Sequence, residues 1–351
     1  MQINIIHKVD AKAGFAMLPD NSVDCIVTSP PYFGLRSYLD DDDPDKHMEI
    51  GLEESPAQYI ARMVDVFREA RRVLKKTGTC WINIGDSYAN DGKWGGHTGG
   101  KHAKALHDSP IGRNKRYTGL KPKDLMMIPH RLAIALQDDG WWVRQDIVWH
   151  KKNPMPESVT DRCTKAHEYI FLLSKSAKYY FDHEAIKEPA VVGANGSVFH
   201  TGKTGIHQLG RASVKPRASG NKSHKYVSVH EQLDTEEHRT KSGLLKISDV
   251  AYEKRNRRSV WSVSTKGFAD AHFAVFPVEL IKPCIMAGCP AGGVVVDPFM
   301  GSGSTAIAAR LTKRNYIGFD LKQAYVDMAD ARILKTLGPI DHAIKPRVLT
   351  L

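Results

Sequence analysis

The chain has 351 residues, 42% of them apolar and 25% charged, which is the balance of a folded protein and excludes wholesale disorder. The length suggests about two domains, or one large domain with a smaller appended module. Lys and Arg outnumber Asp and Glu by 50 to 39, so the formal charge is +11 and an anionic partner is favoured.

No apolar run approaches the ~20 residues needed to span a bilayer, so no membrane partner is expected. The start, Met1-Gln2-Ile3-Asn4-Ile5-Ile6, lacks the features of a signal peptide and reads as an immediate strand. Five Cys with no Cys-x-x-Cys pair fit buried thiols in a reducing cytoplasm, and no metal site is expected.

In chain order, strands are expected at Ile3–His7, Val23–Val27, Thr79–Ile84, Val143–Trp149, Tyr169–Leu173, Val294–Val296 and Tyr316–Phe319. Their Val, Ile and Phe content suits a sheet buried on both faces. The clearest helix is Pro56–Lys75. Ser55 and Gln58 form a capping box, Pro56 takes the first helical position, and Gly78 follows the end. Further helices are expected over Lys123–Asp139, Ala306–Lys313 and from Gln323 to about Leu337. Alternating strands and helices predict a doubly wound α/β fold with a mostly parallel sheet.

Two stretches interrupt this pattern. From Lys93 to Lys123, eight basic residues face one acid, Asp108, in a segment rich in Gly and His. It reads as a solvated loop, or as a mobile arm that orders on a polyanion. From 183 to 266 the chain is again irregular and ends near a basic cluster, Lys254-Arg255-Asn256-Arg257-Arg258. The expected organisation is therefore 1–182, an inserted region 183–266, and 267–351.

Two loops carry chemistry. Ser29-Pro30-Pro31-Tyr32 follows the Val23–Val27 strand, where paired prolines must stop a central ladder. A stiff turn at the carboxyl end of a strand presents acceptors and an aromatic ring to the crevice where α/β sheets bind ligands. It could also be a Pro-rich turn with a packing tyrosine. Asp297-Pro298-Phe299-Met300-Gly301-Ser302-Gly303-Ser304-Thr305 joins a strand to a helix, and Asp320 ends the following strand. Strand, glycine turn, helix, strand and acid is the order of a nucleoside-cofactor site. A nicotinamide-dependent oxidoreductase stays open on that pattern, although the basic segments do not suit one.

Together these loops resemble the S-adenosylmethionine-dependent amino DNA methyltransferases. Ser29-Pro30-Pro31-Tyr32 is similar to their catalytic (Asp/Asn/Ser)-Pro-Pro-(Tyr/Phe) motif, and Asp297–Gly303 to their Asp-Pro-Phe-x-Gly-x-Gly cofactor motif. The catalytic motif comes first, the circularly permuted order of the beta group. The resemblance implies a seven-stranded methyltransferase sheet, with 183–266 as target-recognition region and 93–123 as a mobile basic loop. It assigns the cofactor to Asp10, Phe276, Pro277, Asp297, Pro298, Phe299, Gly301, Ser302, Gly303, Thr305 and Asp320. The segments Trp141–Asn153 and His167-Glu168-Tyr169 match scaffold on the target-base side.

The implied reaction moves a methyl group to the exocyclic amino nitrogen of a base flipped out of double-stranded DNA. Ser29 and the Pro30 carbonyl would accept the amino hydrogens and Tyr32 would stack on the base. Adenine N6 is the expected target because it is the commoner product of the group. Cytosine N4 is the alternative, because Ser before Pro-Pro is traditionally associated with it. A homodimer is the favoured assembly, and a non-catalytic DNA-binding protein is the reading from another class.

Overall fold

The computed structural model describes residues 2–34, 37–89, 119–189, 254–265 and 276–338. Segments 93–118, 190–253 and 266–275 lie outside the described residues. The chain divides into a large unit, Met1–Ile186 with Arg258–Leu351, and a small unit, Lys187–Arg257.

The elements in chain order are β1 (Ile5–Lys8), α1 (Ala11–Ala16), β2 (Val23–Thr28), α2 (Pro56–Val73), β3 (Leu74–Ile84), α3 (Ile128–Asp138), β4 (Trp142–Lys151) and β5 (His167–Ser174). There follow β6 (Glu188–Pro189), β7 (Lys254–Arg255), β8 (Val260–Val263), α4 (Val278–Gly288), β9 (Val294–Asp297), α5 (Ser304–Leu311), β10 (Asn315–Asp320) and α6 (Gln323–Leu337). In the small unit, β6 and β7 pair antiparallel and Arg255 is ion-paired with Glu188 at 2.9 Å.

Among the described residues, eight strands form the large sheet in the order β1-β10-β9-β2-β3-β5-β4-β8. Every neighbouring pair is parallel except the two that flank β5, so β5 alone runs against the rest. This is one strand more than the seven expected. The extra strand, β8, falls within the 183–266 stretch and pairs with β4 from Val148↔Val260 to Lys151↔Val263. Its short, half-exposed sequence carries too weak an alternation to stand out.

Period-two alternation splits the core between the two faces. In β2, Ile26 joins the core that holds Phe15, Tyr59, Met63, Phe67 and Leu132 of α1, α2 and α3, and a register shift between Val23 and Cys25 puts Val23 on the same side. Cys25 and Val27 join the core that holds Leu280, Ile285, Ile307, Val326 and Ile333 of α4, α5 and α6. Helices therefore cover both faces, the doubly wound arrangement that the strand–helix alternation predicts. The Ser55–Gln58 capping box forms as expected, but α2 stops at Val73 and Leu74 begins β3 directly.

Candidate active site

β2 and β9 are adjacent and parallel, with Cys25↔Val295 and Ile26↔Val296 in register. Their carboxyl ends therefore emerge side by side, and the loops after Thr28 and Asp297, 269 positions apart, meet at one edge of the sheet. The seam is closed by a buried hydrogen bond, Thr28 Oγ1 donating to Asp297 Oδ1 at 2.6 Å. Asp297 also accepts from Thr305 Oγ1 at 2.6 Å and from the Phe299 backbone N–H at 3.0 Å. Burial pushes the Asp297 carboxyl up to about 6, against the pull of its three donors.

A cleft of about 940 Å³ opens over this edge. It is lined by Ser29, Pro30, Pro31 and Tyr32 from the first loop and by Pro298, Phe299, Gly301 and Ser302 from the second. Asp10, Phe276 and Asp320 complete the expected residues that reach it. Asp297, Gly303, Thr305 and Pro277 do not line it. Asp297 and Thr305 brace the turn from beneath, Gly303 sits at the N-cap of α5, and Pro277 sits at the N-cap of α4.

The glycine turn has the backbone its residues allow. Gly301 and Gly303 have φ of 51° and 78°, in the left-handed region where side chains are strained. A Cβ on Gly303 would also press on Ala329 at 3.1 Å. The Gly301 N–H donates to Asp320 Oδ2 at 2.8 Å and the Lys322 N–H to Oδ1 at 3.1 Å, which holds the acid at the strand end facing the cleft. Burial pushes the Asp320 carboxyl up to about 6. Arg332 of α6 donates to the Ser302 carbonyl and hydroxyl at 2.9 and 2.8 Å and fixes the middle of the turn. Asp10 caps α1 through the N–H groups of Lys12 and Ala13.

On the other side of the cleft, Tyr32 donates its hydroxyl to Glu168 Oε2 at 2.7 Å. Glu168 is ion-paired with Lys151, and Asn83 Nδ2 donates to its Oε2 at 3.3 Å. Burial, with the Glu168 carboxylate second, holds the Tyr32 phenol well above the usual range, so it stays protonated. Tyr59 donates to the Pro31 carbonyl at 2.8 Å and fixes the turn from below. Trp149, Asn153, Lys165 and His167 also line this half. Of these groups only His167, Glu168 and the 141–153 segment are touched by sequence reasoning, and then as scaffold. Asn83 is untouched and joins the cleft through strand register, which no local motif records, and Lys151 belongs to the 141–153 segment with no role of its own assigned.

The donor set suits S-adenosylmethionine. An acid at a strand end facing the cleft could take ribose hydroxyls, the glycine turn would let backbone approach a ligand, and Phe276 and Phe299 line the cleft as apolar surface.

Comparison with known proteins agrees. Residues 23–331 match the family model of N6/N4 methyltransferases, described as DNA methylase. The chain is 41% identical to the type II methyltransferase M.Cfr9I of Citrobacter freundii over 92% of its length and 85% of that protein's. It is 39% identical to the type II methyltransferase M.SmaI of Serratia marcescens, over 93% and 89%. Among solved structures, the fold is shared with the cytosine-N4-specific PvuII DNA methyltransferase, at a TM-score of 0.55, 16% identity and coverage of 96% and 92%. The TTHA0409 protein of Thermus thermophilus, solved with S-adenosyl-L-methionine, follows at a TM-score of 0.52, 20% identity and 96% of each chain. With its two motif loops meeting over adjacent strands and these relatives covering nearly its whole length, the chain belongs to the N6/N4 family of S-adenosylmethionine-dependent DNA methyltransferases.

Proposed function

We propose that this protein methylates the exocyclic amino nitrogen of a base flipped out of duplex DNA, at a specific site, and that the base is cytosine. The observation that carries the reading is the shared cleft, in which the Ser29–Tyr32 turn faces the Gly301–Asp320 cofactor side across one sheet edge. Asp320 and the glycine turn would hold the nucleoside end of the cofactor. When bound, S-adenosylmethionine supplies an electrophilic methyl group. The chain's own work is to make a poor nucleophile competent.

An amino nitrogen conjugated with its ring has a delocalised lone pair. The Ser29 hydroxyl and the Pro30 carbonyl, as acceptors, favour the tetrahedral nitrogen on which that pair is localised. Acceptors that bind the developing positive charge better than the neutral amine stabilise the transition state selectively. Tyr32 offers its ring to the extruded base, a contact worth ~1–3 kcal/mol by analogy with other base-stacking platforms.

Adenine N6, the expectation from the group's commoner product, rests on nothing in this chain. Ser29 is a feature of the chain itself, and serine at this motif position is associated with cytosine N4. Radiolabelled methyl transfer to unmethylated genomic DNA, followed by digestion to nucleosides, tests both levels. Label in N4-methylcytosine is expected. Label in N6-methyladenine would overturn the base, and no incorporation would overturn the reaction.

A further inference from the structure

Glu168 joins three neighbouring strands at the catalytic turn. Asn83 lies on β3 and Lys151 on β4, and both converge on the carboxylate of Glu168 on β5 between them. Asn83 also donates to the Tyr169 carbonyl at 3.1 Å, so its amide is held from two sides. The carboxylate accepts the single O–H of Tyr32. Behind the Tyr32 ring stands Gly85, where an added Cβ would lie 2.7 Å from Tyr32 Cε2 and 3.3 Å from Glu168 Cδ. The ring is thus tied at its hydroxyl and backed at its edge.

Tyr32 has one proton to donate, and the Glu168 carboxylate takes it, so the tie fixes the ring's position at the wall of the cleft that it shares with Ser29 and Pro30. We propose that Glu168 is a positioning residue that acts through Tyr32, fixing the aromatic plate against Gly85 where the extruded base would stack.

This rests on the amino-methylation reading above, and the test separates the two. Tyr32→Phe, Glu168→Gln and the double variant are compared with wild type by single-turnover methyl transfer to genomic DNA, by calorimetry with S-adenosylmethionine, and by thermal melting. Glu168→Gln keeps the side-chain shape but loses the ion pair and half the acceptor capacity. It is expected to slow transfer by about tenfold or more, the scale of a misaligned catalytic group, with cofactor affinity unchanged. The double variant is expected to be no slower than the slower single variant, and the melting shifts should couple in the same way. Glu168→Gln with wild-type transfer, or effects that multiply in the double variant, would overturn the role of Glu168 while leaving the reaction standing. A wild-type protein that transfers no methyl group would overturn both. Should Glu168→Gln fail to melt cooperatively, Lys151→Met, which loosens the same carboxylate, enters the cycle in its place with the same expected coupling to Tyr32→Phe.

Discussion

Two carboxylates, the buried Asp297 and the half-buried Asp320, sit at the ends of adjacent strands, and loss of solvent pushes each up to about 6. Only Asp320 faces the cleft. Its use as an acceptor for ribose hydroxyls requires the ionised form. In the folded chain the proton is held up to about pH 6, whereas an unfolded Asp releases it near its ordinary value of 3.8. These two acids therefore favour the folded chain at the acid end, and that contribution is lost as pH rises from about 4 to about 6. With Asp320 in the proposed role of ribose acceptor, cofactor binding would have the opposite sign, because it would select the carboxylate. Affinity for S-adenosylmethionine, measured by calorimetry, is expected to rise between about pH 5 and 7, by up to about tenfold per unit below the folded value. Asp320→Asn should bind more weakly and flatten that profile. A pH-independent affinity in the wild type would remove Asp320 from the ribose side.

The elements that matter most to the site are β2 and β9, whose register brings distant loops together and whose tips are locked by Thr28 on Asp297. Thr28→Val keeps the shape and removes one donor from a dry carboxylate. The expected loss is about 1–3 kcal/mol, read as a lower denaturant midpoint at unchanged slope, with Thr28→Ser restoring most of it. β2, β9 and the 79–84 part of β3 are readable because they are buried on both faces of the sheet and rich in apolar residues. So is α2, whose capping box and leading proline are local signals. Two helices are not. α1 is only six residues long and starts at Asp10, whose acid draws attention as a ligand group rather than a cap. α4 carries Pro283 in its interior, which by the ordinary rule breaks a helix. The expected start of α3 at Lys123 fails for a similar reason, since Lys123 and Met127 both take positive φ and the helix begins only at Ile128. In the site, Ser29–Tyr32 and the glycine turn stand out because each is a run of special backbone residues. Asn83 does not, and Glu168 and Lys151 are legible only as scaffold, because the meeting of the three depends on how three strands pair.

At the scale of the molecule, the charge excess is concentrated. Of the eight basic residues between Lys93 and Lys123, Lys121 and Lys123 are ion-paired with Asp124 and Asp161, at 3.8 and 2.8 Å. That leaves Lys93, Lys101, Lys104, Arg113, Lys115 and Arg116 against Asp108 as the group suited to nonspecific phosphate contact. The two ends of this segment are clamped together. Ala89 N–H donates to the Asp124 carbonyl at 2.8 Å, Lys123 N–H to the Ala89 carbonyl at 2.9 Å, and Tyr88 bridges Leu125. Residues 93–118 can therefore be replaced by a short Gly-Ser linker without pulling on the sheet or the cleft. Each phosphate neutralised contributes roughly 0.9 to the slope of log affinity against log salt. If all six charges contact DNA, the deletion lowers that slope by up to about 5, while S-adenosylmethionine affinity stays at the wild-type value. Fluorescence anisotropy of a duplex titrated between about 50 and 200 mM salt reads the slope directly. An unaltered slope would move the phosphate contacts to the basic residues elsewhere in the chain.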